Sequence, residues 1–190
     1  WAYELSENDI SLKNKASFMK QKMADDEFKS IEREAKANPE DEDIQEKYEK
    51  AKFDRLQKGV DEAQARVDGN PTDPTLRFDL GLALFEKEEY SDAIPHLQQA
   101  ARNPHIKTRS LLLLAQTFKK KSMYDLAVKQ LDDALADLHT MDDNKKQVLY
   151  EKGLIHEEMG DKPSALDALK QIYEIDYGYR DVAKRVESAY

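Results

Sequence analysis

Arg77-Phe78-Asp79-Leu80-Gly81-Leu82-Ala83-Leu84 is the stretch on which the fold of this 190-residue chain turns. It sets a small residue directly after a leucine inside an apolar run. The slot returns 34 residues later as Ala115 in Leu111-Leu112-Leu113-Leu114-Ala115-Gln116-Thr117-Phe118. It returns again, after 38, as Gly153 in Leu149-Tyr150-Glu151-Lys152-Gly153-Leu154-Ile155-His156. A second track of small residues keeps the same step. Ala93 and Ala127 are 34 apart, as are Ala100 and Ala134, and Ala165 and Ile172 follow them by 38. A small side chain in such a slot lets a neighbouring helix approach closely, and large residues on either side fill the grooves. The returning helices read Tyr90-Ser91-Asp92-Ala93-Ile94-Pro95-His96-Leu97, Tyr124-Asp125-Leu126-Ala127-Val128 and Asp161-Lys162-Pro163-Ser164-Ala165-Leu166.

A step of about 34 residues built from two helices resembles the tetratricopeptide repeat family, here over residues 74–177. The departures are local. Arg77, Leu111 and Leu149 stand where an aromatic usually opens the first helix. Lys152 stands where a leucine is usual. Pro104 comes one residue early for the proline that closes a unit, and His139 and Tyr177 fill that slot later. The loop His139-Thr140-Met141-Asp142-Asp143-Asn144 absorbs the four extra residues of the longer step. The resemblance implies an all-α fold, a short right-handed superhelix (an α-α solenoid) of three repeats over residues 71–178. It implies a bacterial protein of unassigned role.

Residues 1–70 read as a long antiparallel helical hairpin. One helix spans about Glu7 to Ala37 and stops at Asn38-Pro39. The next starts at the acidic run Glu40-Asp41-Glu42-Asp43, which suits the positive end of a helix dipole, and ends at Gly69-Asn70-Pro71. Phe53, Leu56, Val60, Ala63 and Val67 form a coiled-coil-like seam. Stepping back 34 from Ala93 and Leu97 lands on Gly59 and Ala63. The second helix therefore also reads as half of a degenerate repeat. Residues 179–190 read as a capping helix with Val182, Ala183 and Val186 inward and Arg180, Asp181, Lys184, Arg185 and Glu187 toward solvent.

The net charge of −9 is spread along the chain, which argues against general nucleic-acid binding. No apolar run approaches the ~20 residues needed to cross a membrane. The absence of cysteine excludes disulfides and thiolate metal sites. The start at Trp1 suggests a fragment of a longer protein. The compartment stays open, with a cytoplasmic setting favoured. His96, His105, His139 and His156 show no metal-ligand spacing. Gly160 stands where a second zinc-protease histidine after His156 would be, so His156 reads as a packing residue. Neither a phosphate loop nor a nucleophile elbow occurs. The expectation is a non-catalytic chain without cofactor or metal.

In the repeat family the first helix of each unit lines the inner wall of the superhelix. The resemblance implies a partner-binding groove of Phe78, Leu82 and Phe85, then Arg109, Leu112, Gln116 and Lys119, then Tyr150 and Leu154. On this mapping Phe78, Leu82, Phe85, Leu112, Tyr150 and Leu154 form one exposed apolar patch. Leu82→Glu and Tyr150→Ala would then leave the melting temperature nearly unchanged. Phe78 and Leu82 occupy slots that a chaperone-tail carboxylate clamp would fill with asparagine and lysine. The implied partner is instead a peptide or helix with apolar anchors, its acidic group read by Arg109 and Lys119. The alternative of another class is self-assembly, with the N-terminal seam making a homodimer.

Overall fold

The computed structural model describes residues 10–189. The expected helix start at Glu7 and the last residue, Tyr190, lie outside them. All regular structure among the described residues is helical. The helices are α1 (Ile10–Ala37), α2 (Glu42–Gly69), α3 (Pro74–Glu86), α4 (Tyr90–Ala100), α5 (Lys107–Lys120), α6 (Tyr124–Leu135), α7 (Asp143–Met159), α8 (Lys162–Tyr173) and α9 (Val182–Glu187). The chain divides into two compact units, the first ending at Lys58 and the second beginning at Gly59.

Within the first unit, α1 and the opening half of α2 run antiparallel. The Gln45 side-chain amide donates to the Ala35 and Asn38 carbonyls at 2.9 and 3.0 Å. Further along, the Phe28 and Tyr48 rings lie 6.0 Å apart, Arg55 lies 4.9 Å over Phe28, and Arg55 pairs with Asp25 at 2.8 Å. This union is narrow and mostly polar. Ala35 is the single buried side chain among the described residues of α1.

The second unit is a helical solenoid. Three helix pairs, α3 with α4, α5 with α6 and α7 with α8, stack so that each pair packs on the next. The small-residue register decides how closely a pair closes. A Cβ built on Gly81 would sit 2.6 Å from Leu97 Cδ2, and one on Gly153 would sit 2.8 Å from Leu169 Cδ2. Leu97 and Leu169 are buried behind these glycines, and Ala115 and Leu131, which hold the equivalent positions 34 residues after Gly81 and Leu97, are buried too. Ala93, Ala127 and Ala165 are buried as well. At the start of the unit, Ala63 and Val67 from the end of α2 join this core, with Val60 against it. The seam expected for a dimer is thus spent inside the chain over its second half. Gly59 departs from the register, since a Cβ there would meet nothing within 4 Å.

Caps and turns set the helix ends. The Asp73 carboxylate accepts from Thr75 N and Leu76 N ahead of Pro74. Asp142 and Asp161 do the same for α7 and α8, through Lys145 N and Ser164 N. Within each pair the chain reverses through one left-handed residue: Glu88 (φ 66°), Ser122 (φ 59°) and Gly160 (φ 77°). These keep the 34- and 38-residue steps, yet only the third is a glycine. A side chain in that region costs about 1 kcal/mol or more. Ser122→Gly is therefore expected to raise stability by about 1 kcal/mol, read as a higher midpoint in urea.

The last helix, α9, is shorter than the 179–190 reading and packs on α8. Val182 and Val186 are buried, as expected. Asp181 and Arg185, expected to face solvent, are instead half-buried and turn toward α7.

The inner face of the repeats, a candidate protein-binding groove

The first helices of the three pairs touch one another, α3 to α5 and α5 to α7. An open groove of about 550 Å³ lies along them, lined by Phe85, Gln116, Lys119, Lys120, Glu151 and Glu158. One wall residue comes from the first repeat, three from the second and two from the third. Phe85 is half-buried, and its ring meets that of Tyr90 at a tilt, with centroids 5.5 Å apart. Lys119 pairs with Glu158 at 2.8 Å across the second and third repeats. Lys120 is exposed beside that pair.

The exposed apolar patch expected here does not exist. Phe78, Leu112 and Tyr150 are buried, at 3%, 8% and 8% exposure. Leu82 and Leu154 are half-buried and pack against the cores. The reason is that neighbouring elements cover this row. The Arg109 guanidinium lies 4.2 Å over the Phe78 ring, so Arg109 roofs one expected contact residue. Tyr150 is closed over by the segment leading into α9. Its ring meets Tyr179 edge-on at 6.0 Å, Arg180 lies 4.6 Å above it, and its hydroxyl donates to Asp181 at 2.6 Å. Of the nine expected groove residues, the groove contains Phe85, Gln116 and Lys119. Lys120, Glu151 and Glu158 were missed. Glu151 and Glu158 are seven apart, one face of α7 a single register step from the expected row.

Around Tyr150 a polar network ties α9 to α7. Arg185 donates to Asp181 at 2.9 Å and also pairs with Glu157. The Tyr150 hydroxyl and, less so, Arg185 hold the Asp181 carboxyl below its ordinary value of 3.8. Burial, followed by the neighbouring Asp181 carboxylate, pushes the Tyr150 phenol up. Lys146 bridges Asp143 and Asp176 at 2.7 and 2.8 Å, and those bonds raise its ammonium above the ordinary value. A depressed carboxylate contributes stability above its unfolded pKa and loses it as pH falls through the folded one. Asp181→Asn should therefore melt below wild type at pH 7. The gap should close as pH drops from about 4 toward 2, where wild type loses the same contribution. A gap unchanged over that range would show that the Asp181 charge contributes nothing.

Two of the four histidines pack within the repeats, while His105 and His139 are exposed. His156 is buried at 8% exposure in the slot of Leu84 and Phe118, its Nδ1 3.4 Å from an Asp161 oxygen. His96 lies 3.2 Å from Arg77, and burial followed by that cation lowers its pKa. Among the described residues no group of three or more His, Asp or Glu is placed to hold a metal ion. No described helix is long and apolar enough to cross a membrane.

Comparison with known proteins agrees with this architecture. Tetratricopeptide repeat family profiles match residues 45–105 and 147–175. No match was found among the curated proteins compared. Solved structures with a similar fold include a crystal structure of MamA, with a TM-score of 0.61 and 17% identity over 75% of this chain and 81% of that one. MamA 41-end from Desulfovibrio magneticus RS-1 is similar with a TM-score of 0.58 and 14% identity, over 84% of this chain and 89% of that one. A chain in the APC/C hetero-tetramer Cut9-Hcn1 gives 0.58 and 23%, over 67% of this chain but only 25% of that longer one. The register, the paired helices and the two profile matches identify tetratricopeptide repeats in this chain. The first match begins at residue 45, inside α2, so it takes in the helix that steps back from Ala93 and Leu97.

Proposed function

We propose that the chain is a protein-interaction scaffold that holds a segment of a partner protein along the inner face of its repeats. The observation that carries this reading is the groove itself: three successive repeats each supply wall residues to it. Stacked repeats of this class build extended binding surfaces from such rows. One of the similar folds comes from a hetero-tetramer, which supports an assembly role. The mixed lining refines the expected ligand. Phe85 offers one apolar seat, while Lys119 is engaged by Glu158, so Lys120 is the better reader of an acidic group. Arg109, stacked on Phe78, is a lesser contributor. The ligand is a peptide or helix with one apolar anchor and an acidic neighbour. Self-assembly through the N-terminal seam is the weaker reading, because Ala63 and Val67 are already buried in the repeat core.

Gln116→Glu with Lys120→Glu tests it. Both side chains are at the groove rim, so the melting temperature should hold. Capture of the partner from source-cell lysate should fall at least about tenfold, the scale of a lost charge-assisted contact. Identical captured proteins for wild type and variant would remove the groove from the account.

A further inference from the structure

The opening half of α1 carries a second face of distinct chemistry. Residues 10–24 hold four lysines and no acid, in a chain of net charge −9. Leu12, Ala16, Met19 and Met23 recur at steps of 4, 3 and 4, one apolar stripe two heptads long. Lys13 and Lys20 border it on one side, and Lys15 and Lys22 on the other. Helical geometry sets this stripe roughly opposite the side on which Phe28 and Ala35 lie. Met19 and Met23 are 55% and 68% exposed. Lys15, Lys20 and Lys22 are exposed as well.

The lysine borders decide what can cover the stripe. A second copy docking the same stripe would set lysine against lysine in either orientation, which is repulsive. An anionic lipid surface meets Asp25-Asp26-Glu27 directly after the stripe, with Asp26 in its next slot. A helix with acidic borders complements both the apolar stripe and the exposed Lys15, Lys20 and Lys22 beside it. We infer that this face docks an amphipathic helix of another protein whose apolar stripe is flanked by aspartate or glutamate. It is a separate surface from the groove, and it stands whether or not the groove binds.

Two synthetic peptides of about 21 residues test this, both with leucine at every core position. One carries glutamate at all flanking positions and the other lysine. Titrated into the chain and followed by circular dichroism and calorimetry, the glutamate peptide should bind and gain helicity. Its affinity should weaken roughly tenfold or more between low and half-molar salt. The lysine peptide should not bind. Lys15→Glu with Lys20→Glu and Lys22→Glu should reverse that preference. Met19→Ser with Met23→Ser should abolish binding of the glutamate peptide while leaving the melting curve in place. All five positions are exposed, so each variant keeps the fold. The inference is overturned if the glutamate peptide fails to bind, if both peptides bind alike, or if the charge-reversed variant keeps its preference. Sedimentation with 1:1 phosphatidylglycerol–phosphatidylcholine vesicles in place of peptide binding would assign the face to lipid. A doubled mass by light scattering that Met19→Ser with Met23→Ser removes would assign it to a second copy.

Discussion

Tyr150→Ala is expected to cost about 3–5 kcal/mol, the range for truncating a buried aromatic side chain. The melting temperature should fall by on the order of 10 °C, since each kcal/mol is worth about 2–4 °C at this chain length. The loss has three parts. The ring leaves a cavity between α7 and the segment carrying Tyr179 and Arg180. Arg180 loses one of the two rings it lies over, keeping Tyr179. Asp181 loses the hydroxyl that donates to it. Tyr150→Phe separates the last part from the others, keeping the ring and removing only a hydrogen bond to a charged acceptor, about 1.5–3 kcal/mol. The prediction reverses the sequence-based expectation that Tyr150 lies on the groove wall and that Tyr150→Ala leaves the melting temperature nearly unchanged. Thermal unfolding of the two variants decides between them: an Ala variant that melts with wild type would return Tyr150 to the groove wall.

The second large effect is expected at Gly81. Its missing Cβ would lie 2.6 and 2.7 Å from the Cδ2 and Cγ atoms of Leu97, whose side chain is fully buried and would have to shift. Gly81→Val should destabilise by about 3 kcal/mol or more, the upper part of the range for overpacking a tight interior. Gly81→Ala is milder, because the gain in helix propensity of about 1 kcal/mol offsets part of the strain. The second repeat supplies the internal comparison, with Ala115 and Leu131 buried at the equivalent positions. Truncating the obstacle tests the cause. Gly81→Val combined with Leu97→Ala should cost clearly less than the two single losses added together, a coupling visible in a double-mutant cycle. Simple additivity would mean that the two sites do not meet and that the register has another origin.

These two residues also show what the sequence made legible. Gly81, Gly153 and the alanine track could be read because close helix approach imposes a steric demand that few residue types meet. A phase of 34 and 38 residues then carried the pairing of helices. The groove was legible only in part. Phe85, Gln116 and Lys119 follow from the helical period, but burial does not. Phe78 and Phe85 sit seven apart on one helix, and the first is roofed by Arg109 from the next repeat while the second faces the groove. Nothing in the local spacing distinguishes them, because the covering residue comes from another element. The same holds for Tyr150, closed over by a segment about thirty residues later. Asp181 and Arg185 read as solvent-facing charges because their partners, Tyr150 and Glu157, lie on a different helix. The reversals at Glu88 and Ser122 left no trace, since neither is the glycine that a left-handed turn usually carries.

Site-specific photo-crosslinking tests the proposed role most directly. A photoreactive residue is placed at Gln116 in the groove, and in a second protein at Gln98, exposed on α4. Both are exposed to source-cell lysate under light. A discrete crosslinked partner at Gln116 and none at Gln98 is the predicted result. Crosslinks from Gln98 alone, or from neither position while the chain still captures a partner, would contradict a function carried by the inner face of the repeats.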